Sequence, residues 1–212
     1  MDNTRSDDRW IVVSRWLEYE GESRAALLRV VFVAAFYGAQ LLHFTVFAQR
    51  TEAEQTFHRQ ATFVAAGWLC VSLAVLVMLT RRWLPSWLKF ATVGVDLVLL
   101  TLLADLGSGP GSPLVYAYWV VIVLAGLRCN LALIWFGTIA AMASYLFLVA
   151  MRDPVWFDVE HTTAPITQLM VHLSLAASGL VVGQLVRMMR QVTEEVFARQ
   201  PYKQPYNQER PS

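Results

Sequence analysis

The apolar residues of this chain fall into six blocks, and no other feature constrains the fold as strongly. The blocks are Ala25–Ala48, Ala61–Thr80, Trp87–Leu106, Pro113–Leu127, Leu131–Met151 and Pro165–Val186. An α-helix rises about 1.5 Å per residue, so a hydrocarbon core about 30 Å thick takes about 20 apolar residues. Five blocks meet that length, and Pro113–Leu127 is the short one. Lipid offers no partner to a backbone amide, so each block must bond its own N–H and C=O groups, which excludes loops and open strands. The expected fold is all-α: a polytopic membrane protein with a bundle of six transmembrane helices at 25–186. A leader at 1–24 precedes it, a helical extension at 187–200 follows, and a tail at 201–212 closes the chain.

Composition agrees. Apolar residues make up 56% and charged residues 16%, against about 25% charged in soluble domains. Of the 8 tryptophans, Trp10, Trp16, Trp83, Trp87 and Trp156 stand at block edges, where indole rings anchor helices among headgroups. A formal net charge of +1 gives no electrostatic footprint for nucleic acid. Cys70 and Cys129 lie at or near apolar blocks and read as small residues packed among helices. There is no CxxC and no His/Cys metal spacing. The first 24 residues lack the short apolar stretch of a cleaved signal, so the first block is expected to insert uncleaved.

Lys and Arg set the orientation. The leader holds Arg5, Arg9, Arg15 and Arg24; the second connection Arg81, Arg82 and Lys89; the fourth Arg128; the tail Arg187, Arg190, Arg199, Lys203 and Arg210. The alternate connections are poorer in positive charge: Thr51–Gln60 sets Glu52 and Glu54 against Arg59, 106–112 has none, and 152–163 sets Asp153, Asp158 and Glu160 against Arg152. Six crossings in a bacterial inner membrane, with both termini cytoplasmic, satisfy this pattern.

In the leader, Trp10, Val13, Trp16 and Leu17 recur at helical spacing and predict an amphipathic surface helix; a disordered leader is the alternative. The connection GSGPGSP, Gly107–Pro113, predicts a tight external hairpin leading into Tyr116, Tyr118 and Trp119. Beyond the sixth block Val182, Leu185, Met189, Val192 and Val196 alternate three and four apart, a heptad seam that runs out of the membrane. PYKQPYNQERPS, with Pro201, Pro205 and Pro211, has no apolar period and is expected to be disordered.

Charges inside spanning helices are costly and mark candidate sites. Arg29 lies one turn inside the first block, where it can snorkel to the surface. Asp96, near the middle of the third block, can be protonated, paired with Arg29 or bonded by hydroxyls. Asp105, at that block's outer end, is expected to be wet. His43 and His172 fall at similar depth in the outer half. They are either two separate hydrogen-bonded residues or an axial pair for haem b, and an imidazole could also bond a quinone carbonyl. His58 and His161 fall in external connections and read as solvated. There is no GxSxG, HExxH or Walker loop.

The stretch VDLVLLTLLADLGSGPGSPLVYAYWVVIVLAGLRCNLAL, from Val95 onward, resembles the six-helix membrane sensor region of bacterial histidine kinases of the pilus-regulating and redox-responding types. Those families share an Asp-led Leu-rich helix, a Gly-rich turn with Ser/Asn-Pro, a short aromatic helix and a small basic turn. The resemblance implies a dimeric sensory module that signals through its last helix. In the redox-responding group the hairpin is associated with quinone sensing, and the corresponding positions here are Gly107, Gly109, Gly111, Ser112 and Pro113; Asp96 is a ligand-binding or signalling candidate by its own position within the third block. The 212 residues contain neither a phospho-accepting histidine helix nor an ATP-binding domain, so autokinase activity is not carried over. The expected function is therefore non-enzymatic: a sensor-like or anchoring module in the lipid membrane, as a homodimer or part of a larger complex, with no cofactor required. An accessory subunit of a respiratory complex and a small haem- or quinone-binding electron carrier are the alternatives.

Overall fold

The computed structural model describes residues 3–46, 51–81, 85, 87–152 and 164–199. Among the described residues the chain is helical: α1 (Asn3–Val46), α2 (Glu52–Thr80), α3 (Leu88–Leu106), α4 (Ala117–Gly126), α5 (Leu131–Arg152) and α6 (Pro165–Arg199). Two short 3-10 turns, Gly109–Gly111 and Pro113–Tyr116, lead from α3 into α4. The connection that carries His161 and the proline-rich tail lie outside the described residues.

Side-chain contacts fix the directions of the helices. Arg29 of α1 meets Asp96 of α3, while Glu22, two turns earlier on α1, meets Arg128, which also bonds the Lys89 carbonyl; α1 and α3 run the same way. Tyr37 of α1 meets Thr62 of α2, and Ala26 clusters with Val75 and Leu79, so α2 runs back. Arg152 reaches Asp105 at the far end of α3, which sets α5 parallel to α3. His172 faces Tyr145 and Arg190 reaches the Cys129 carbonyl, so α6 is antiparallel to α5. Successive helices thus alternate. Glu22 and Arg190 share one end of the bundle, the Arg128 end; Asp105 and Arg152 mark the other.

Four helical stretches are long and apolar enough to cross a membrane: Glu20–Val46, Glu54–Thr80, Leu131–Arg152 and Pro165–Thr193. This is the pattern of a membrane protein. Six spanning helices are not supported: among the described residues only these four qualify. α3 carries Lys89, Asp96 and Asp105 within 19 residues, and α4 has only 10 residues. Two boundaries also move. The leader and the first block form one continuous helix, α1. Thr51–Gln60, expected as a connection, is the start of α2: the Thr51 hydroxyl accepts from the Glu54 N–H at 3.3 Å, and the Glu54 carboxylate accepts from the Thr51 N–H at 3.1 Å. That reciprocal cap satisfies two amides a helix start leaves open.

α4 sits between α3, α5 and α6. Its Tyr118, Ile122 and Ala125 are fully enclosed, against Leu100 and Ala104 of α3, Leu133, Ala141 and Leu148 of α5, and Leu175 of α6. Small residues permit close helix approach, as they do between membrane helices generally. A Cβ on Gly126 would lie 2.4 Å from Val182 Cγ1, and one on Gly179 would lie 2.2 Å from Thr138 Oγ1. The opposite faces carry exposed Leu42, Phe63, Leu173 and Val181, a surface suited to lipid.

Candidate functional site

Four charged side chains lie buried together between α1, α3 and the α4–α5 turn. Arg29 and Asp96 are each 3% exposed. The Asp96 carboxylate uses both oxygens: Oδ1 accepts from the Trp68 indole N–H at 2.9 Å, and Oδ2 lies 2.9 Å from Arg29 Nε. The second contact is an ion pair without hydrogen-bond alignment, and Arg29 Nε and Nη1 have no hydrogen-bond partner among the described residues. Arg29 therefore does not snorkel. Its partner is on the neighbouring helix at its own depth, which removes the drive to reach water.

One storey nearer the end of the bundle, Arg128 forms a second centre. It pairs with Glu22 at 3.2 Å and donates through Nη1 to the Lys89 carbonyl at 2.8 Å and the Thr92 hydroxyl at 3.0 Å. Burial pushes the Arg128 guanidinium below its ordinary value, and the Glu22 carboxylate opposes that shift. Gly21 permits the approach: a Cβ there would sit 3.0 Å from the Leu127 carbonyl oxygen. Glu22 and Arg29 are seven residues apart, two helical turns, so they share a face of α1. The two cations and two carboxylates balance, as buried charges must. Chemically this is a fixed, neutral ionic layer that ties α1, α2, α3 and the α4–α5 turn together.

The same turn receives α6. Arg190 donates to the Cys129 carbonyl, and Cys129 adopts φ 49°. Asn130 caps α5 by accepting from the Leu133 N–H at 3.2 Å. Both cysteines are exposed, contrary to the reading of them as packed residues. Cys70 lies on the outer face of α2, and Cys129 on the tip of a turn whose neighbours do the packing.

At the opposite end, Asp105 is not simply wet. Arg152 donates to its carboxylate at 2.9 Å and to its backbone carbonyl. The arginine stem lies across Gly109, whose φ of 64° suits glycine and whose missing Cβ would sit 3.0 Å from Arg152 Cγ. Ser112 is buried and caps the second 3-10 turn, accepting from the Leu114 N–H at 3.3 Å. Gly107 ends α3 with its N–H on the Leu103 carbonyl. Pro113 opens the second turn, where its fixed φ is compatible. Gly111 meets open space. Around Gly107, Gly109, Ser112 and Pro113 the structure thus shows a clasped backbone corner.

His172 is half-buried, its Nδ1 2.8 Å from the Gln168 carbonyl oxygen and its ring edge-on to Tyr145 at 5.4 Å. His43 is exposed on α1, which packs on α2 and α4, whereas α6 packs on α5 and α4. The two imidazoles thus belong to helices with different main partners. No group of three metal-ligating side chains occurs among the described residues. His58, expected in solvent, stacks on Phe44 with centroids 4.0 Å apart. The signal that places it on a helix was present as the Thr51-x-x-Glu54 capping pattern. Trp68, Thr92, Glu22 and Arg128 were not singled out as a site. An Arg in a short turn and a Glu in a polar leader look like ordinary interfacial charges. Compared with known protein families, curated proteins and solved structures, the chain matches none.

Proposed function

We propose that this chain is a non-enzymatic module of the bacterial inner membrane, sensor-like or anchoring, with six crossings and both termini in the cytoplasm. In this reading it acts through other chains and through pairing with a second copy of itself. The observation that carries the reading is α6. It is a single helix of 35 residues, Pro165–Arg199, that packs in the bundle at its middle, Gly179 against Thr138 and Val182 against Gly126. In its outgoing part, Leu185, Met189 and Val192 of the heptad seam are each more than half exposed. A rigid helix docked at its middle and apolar in its outgoing part is suited to passing a displacement or holding a partner.

Two features favour six crossings over four. α3 keeps its mid-helix charge neutralised by Arg29, and its other charges stand near its ends. The path from Asp105 to Arg128 must return the length of α3 from Asp105 to Thr92, about 20 Å at about 1.5 Å per residue. The ten residues of α4 supply about 15 Å and the Pro113–Tyr116 turn about 8 Å more, at about 2 Å per residue in 3-10 geometry. The enrichment of Lys and Arg at the Arg128 end supports a cytoplasmic assignment for that end.

Disulfide mapping in native membranes tests the reading. With Cys70 and Cys129 replaced by Ser, Leu185→Cys, Met189→Cys and Val192→Cys should cross-link between copies, while Gln184→Cys and Gln191→Cys on the opposite face should not. Absent or face-independent cross-linking would remove self-pairing. A partner recovered at fixed ratio in mild detergent would then make the chain an accessory subunit, and a reducible Soret band lost on replacing His43 or His172 would make it an electron carrier.

A further inference from the structure

We propose that the buried Arg29–Asp96 pair is a binding site for water, which bridges the two side chains inside the bundle. The inference rests on neither the sensor role nor self-pairing. Three observations converge. First, the pair has open hydrogen-bonding capacity on both sides. Arg29 is 3% exposed, and its Nε and Nη1 have no hydrogen-bond partner among the described residues. These two nitrogens carry most of a guanidinium's five N–H groups. Asp96 accepts from the Trp68 indole N–H through Oδ1, while Oδ2 faces Arg29 Nε without alignment. An ionised carboxylate has room for about four donors. Donors that lack acceptors thus stand beside a carboxylate with unused lone pairs. Second, the neighbouring hydroxyls are committed elsewhere. Ser72, fully buried one turn after Trp68, donates to the Trp68 carbonyl. Thr92, one turn before Asp96, donates to the Lys89 carbonyl and accepts from Arg128. Neither has a proton left for Asp96. Buried polar groups in this position are costly unless ordered water completes their bonds.

Third, the pair lies at a polar seam between two apolar cores. Ala26, Val75 and Leu79 form a small cluster of α1 and α2, whereas Val93, Leu97 and Leu100 belong to the larger cluster of α3–α6. Arg29 follows Ala26 by about one turn, and Asp96 directly precedes Leu97. α1 packs on α2 and α4, and the long Arg29 side chain reaches across to α3. Cavities that stay empty in proteins are apolar, whereas a site lined by ions holds water. The chemistry selects water over other small ligands. Arg29 requires an acceptor and Asp96 a donor, and one water supplies both. An anion would satisfy Arg29 but would stand against the Asp96 carboxylate. A ketone or ester carbonyl accepts and cannot donate. Arg128 Nε, nearer the end of the bundle, is also buried without a partner among the described residues, so the same demand continues in that direction.

The test uses the full chain in lipid nanodiscs under X-ray radiolysis. Radiolysis makes hydroxyl radicals from bound as well as bulk water, and these oxidise the side chains they touch; the products are read by mass spectrometry. Trp68, whose indole N–H lies on the Asp96 carboxylate, is the reporter. Phe147, exposed on the outer face of α5, is the control. In the unaltered protein Trp68 should be oxidised and Phe147 should not. Replacing both ions together, Arg29→Leu with Asp96→Leu, strands no charge between them and should reduce Trp68 oxidation to the Phe147 level. Three outcomes would overturn the proposal: no Trp68 oxidation in the unaltered protein, oxidation of Trp68 and Phe147 alike, or undiminished Trp68 oxidation in the paired Leu variant. The first two need no variant, so a misfolded substitution cannot hide the answer. Cross-linking along α6 is read separately, so loss of self-pairing and loss of the water site are distinguishable.

Discussion

Among the described residues two arginine–aspartate pairs sit on α3, one in its last turn and one near its middle, and they do different work. Asp105–Arg152 is partly exposed, its side chains 31% and 44% accessible, and closes a backbone corner over Gly109. Arg29–Asp96 has both side chains 4% accessible and is joined by Trp68 and, a storey away, by Arg128 and Glu22. The 2.9 Å separation is the same, although only Arg152 aligns its N–H for a hydrogen bond. The larger difference is the medium. Water supports each partner of the exposed pair if the other is lost, so its net worth is small. In the interior, losing one partner strands a charge that neither lipid nor protein can solvate. A buried pair therefore does not glue helices so much as forbid arrangements in which the two helices are separated or slid past one another.

The comparison breaks if Asp96→Leu is tolerated. That change strands Arg29 and should destabilise the protein by about 3–5 kcal/mol in detergent unfolding. Asp96→Asn, which keeps an acceptor for Trp68, should be milder. Equal stability of the Leu variant would show that the ionic layer has no energetic role. Trp68→Phe sharpens the picture by removing one donor to the carboxylate while leaving the ion pair; the expected loss is about 1.5–3 kcal/mol by the same melts. At the exposed pair the backbone should matter more than the charge. Gly109→Ala, at a positive φ, should cost about 1–2 kcal/mol. Arg152→Ala should cost under about 1 kcal/mol, and added salt should shrink that further. An Arg152→Ala loss matching that of Asp96→Leu would erase the distinction between the two sites.

The same contrast explains what could be read from the chain before its fold was known. Apolar blocks dictate helices directly, because an unbonded backbone in lipid has no alternative, and five block positions pass into α-helices nearly intact. Arg29 and Asp96 were legible as candidates because a charge inside such a block is rare. Their pairing was one option among several, since block positions say nothing of which faces meet. Arg128 and Glu22 were illegible: each sits in a polar stretch where charges are ordinary, and only the close approach at Gly21 brings them together. Thr51–Gln60 was misjudged because polarity dominated the reading, although a helix start is itself polar. Asp105 was misjudged because its partner is supplied by the end of α5, after two intervening segments.

The shortness of α4 has a consequence for how the protein is made. Ten helical residues behind a Gly- and Pro-rich corner are too few to partition into a bilayer unaided, whatever their apolarity. The irregular backbone of that corner is acceptable at depth only where protein surrounds it. The enclosure of Tyr118, Ile122 and Ala125 by residues of α3, α5 and α6 means that α4 has no stable position until helices synthesised after it have arrived. On the six-crossing reading, biogenesis is then not a sequence of independent insertions. In the six-crossing reading proposed above, the segment between Asp105 and Arg128 would enter only as the second half of the bundle closes around the first.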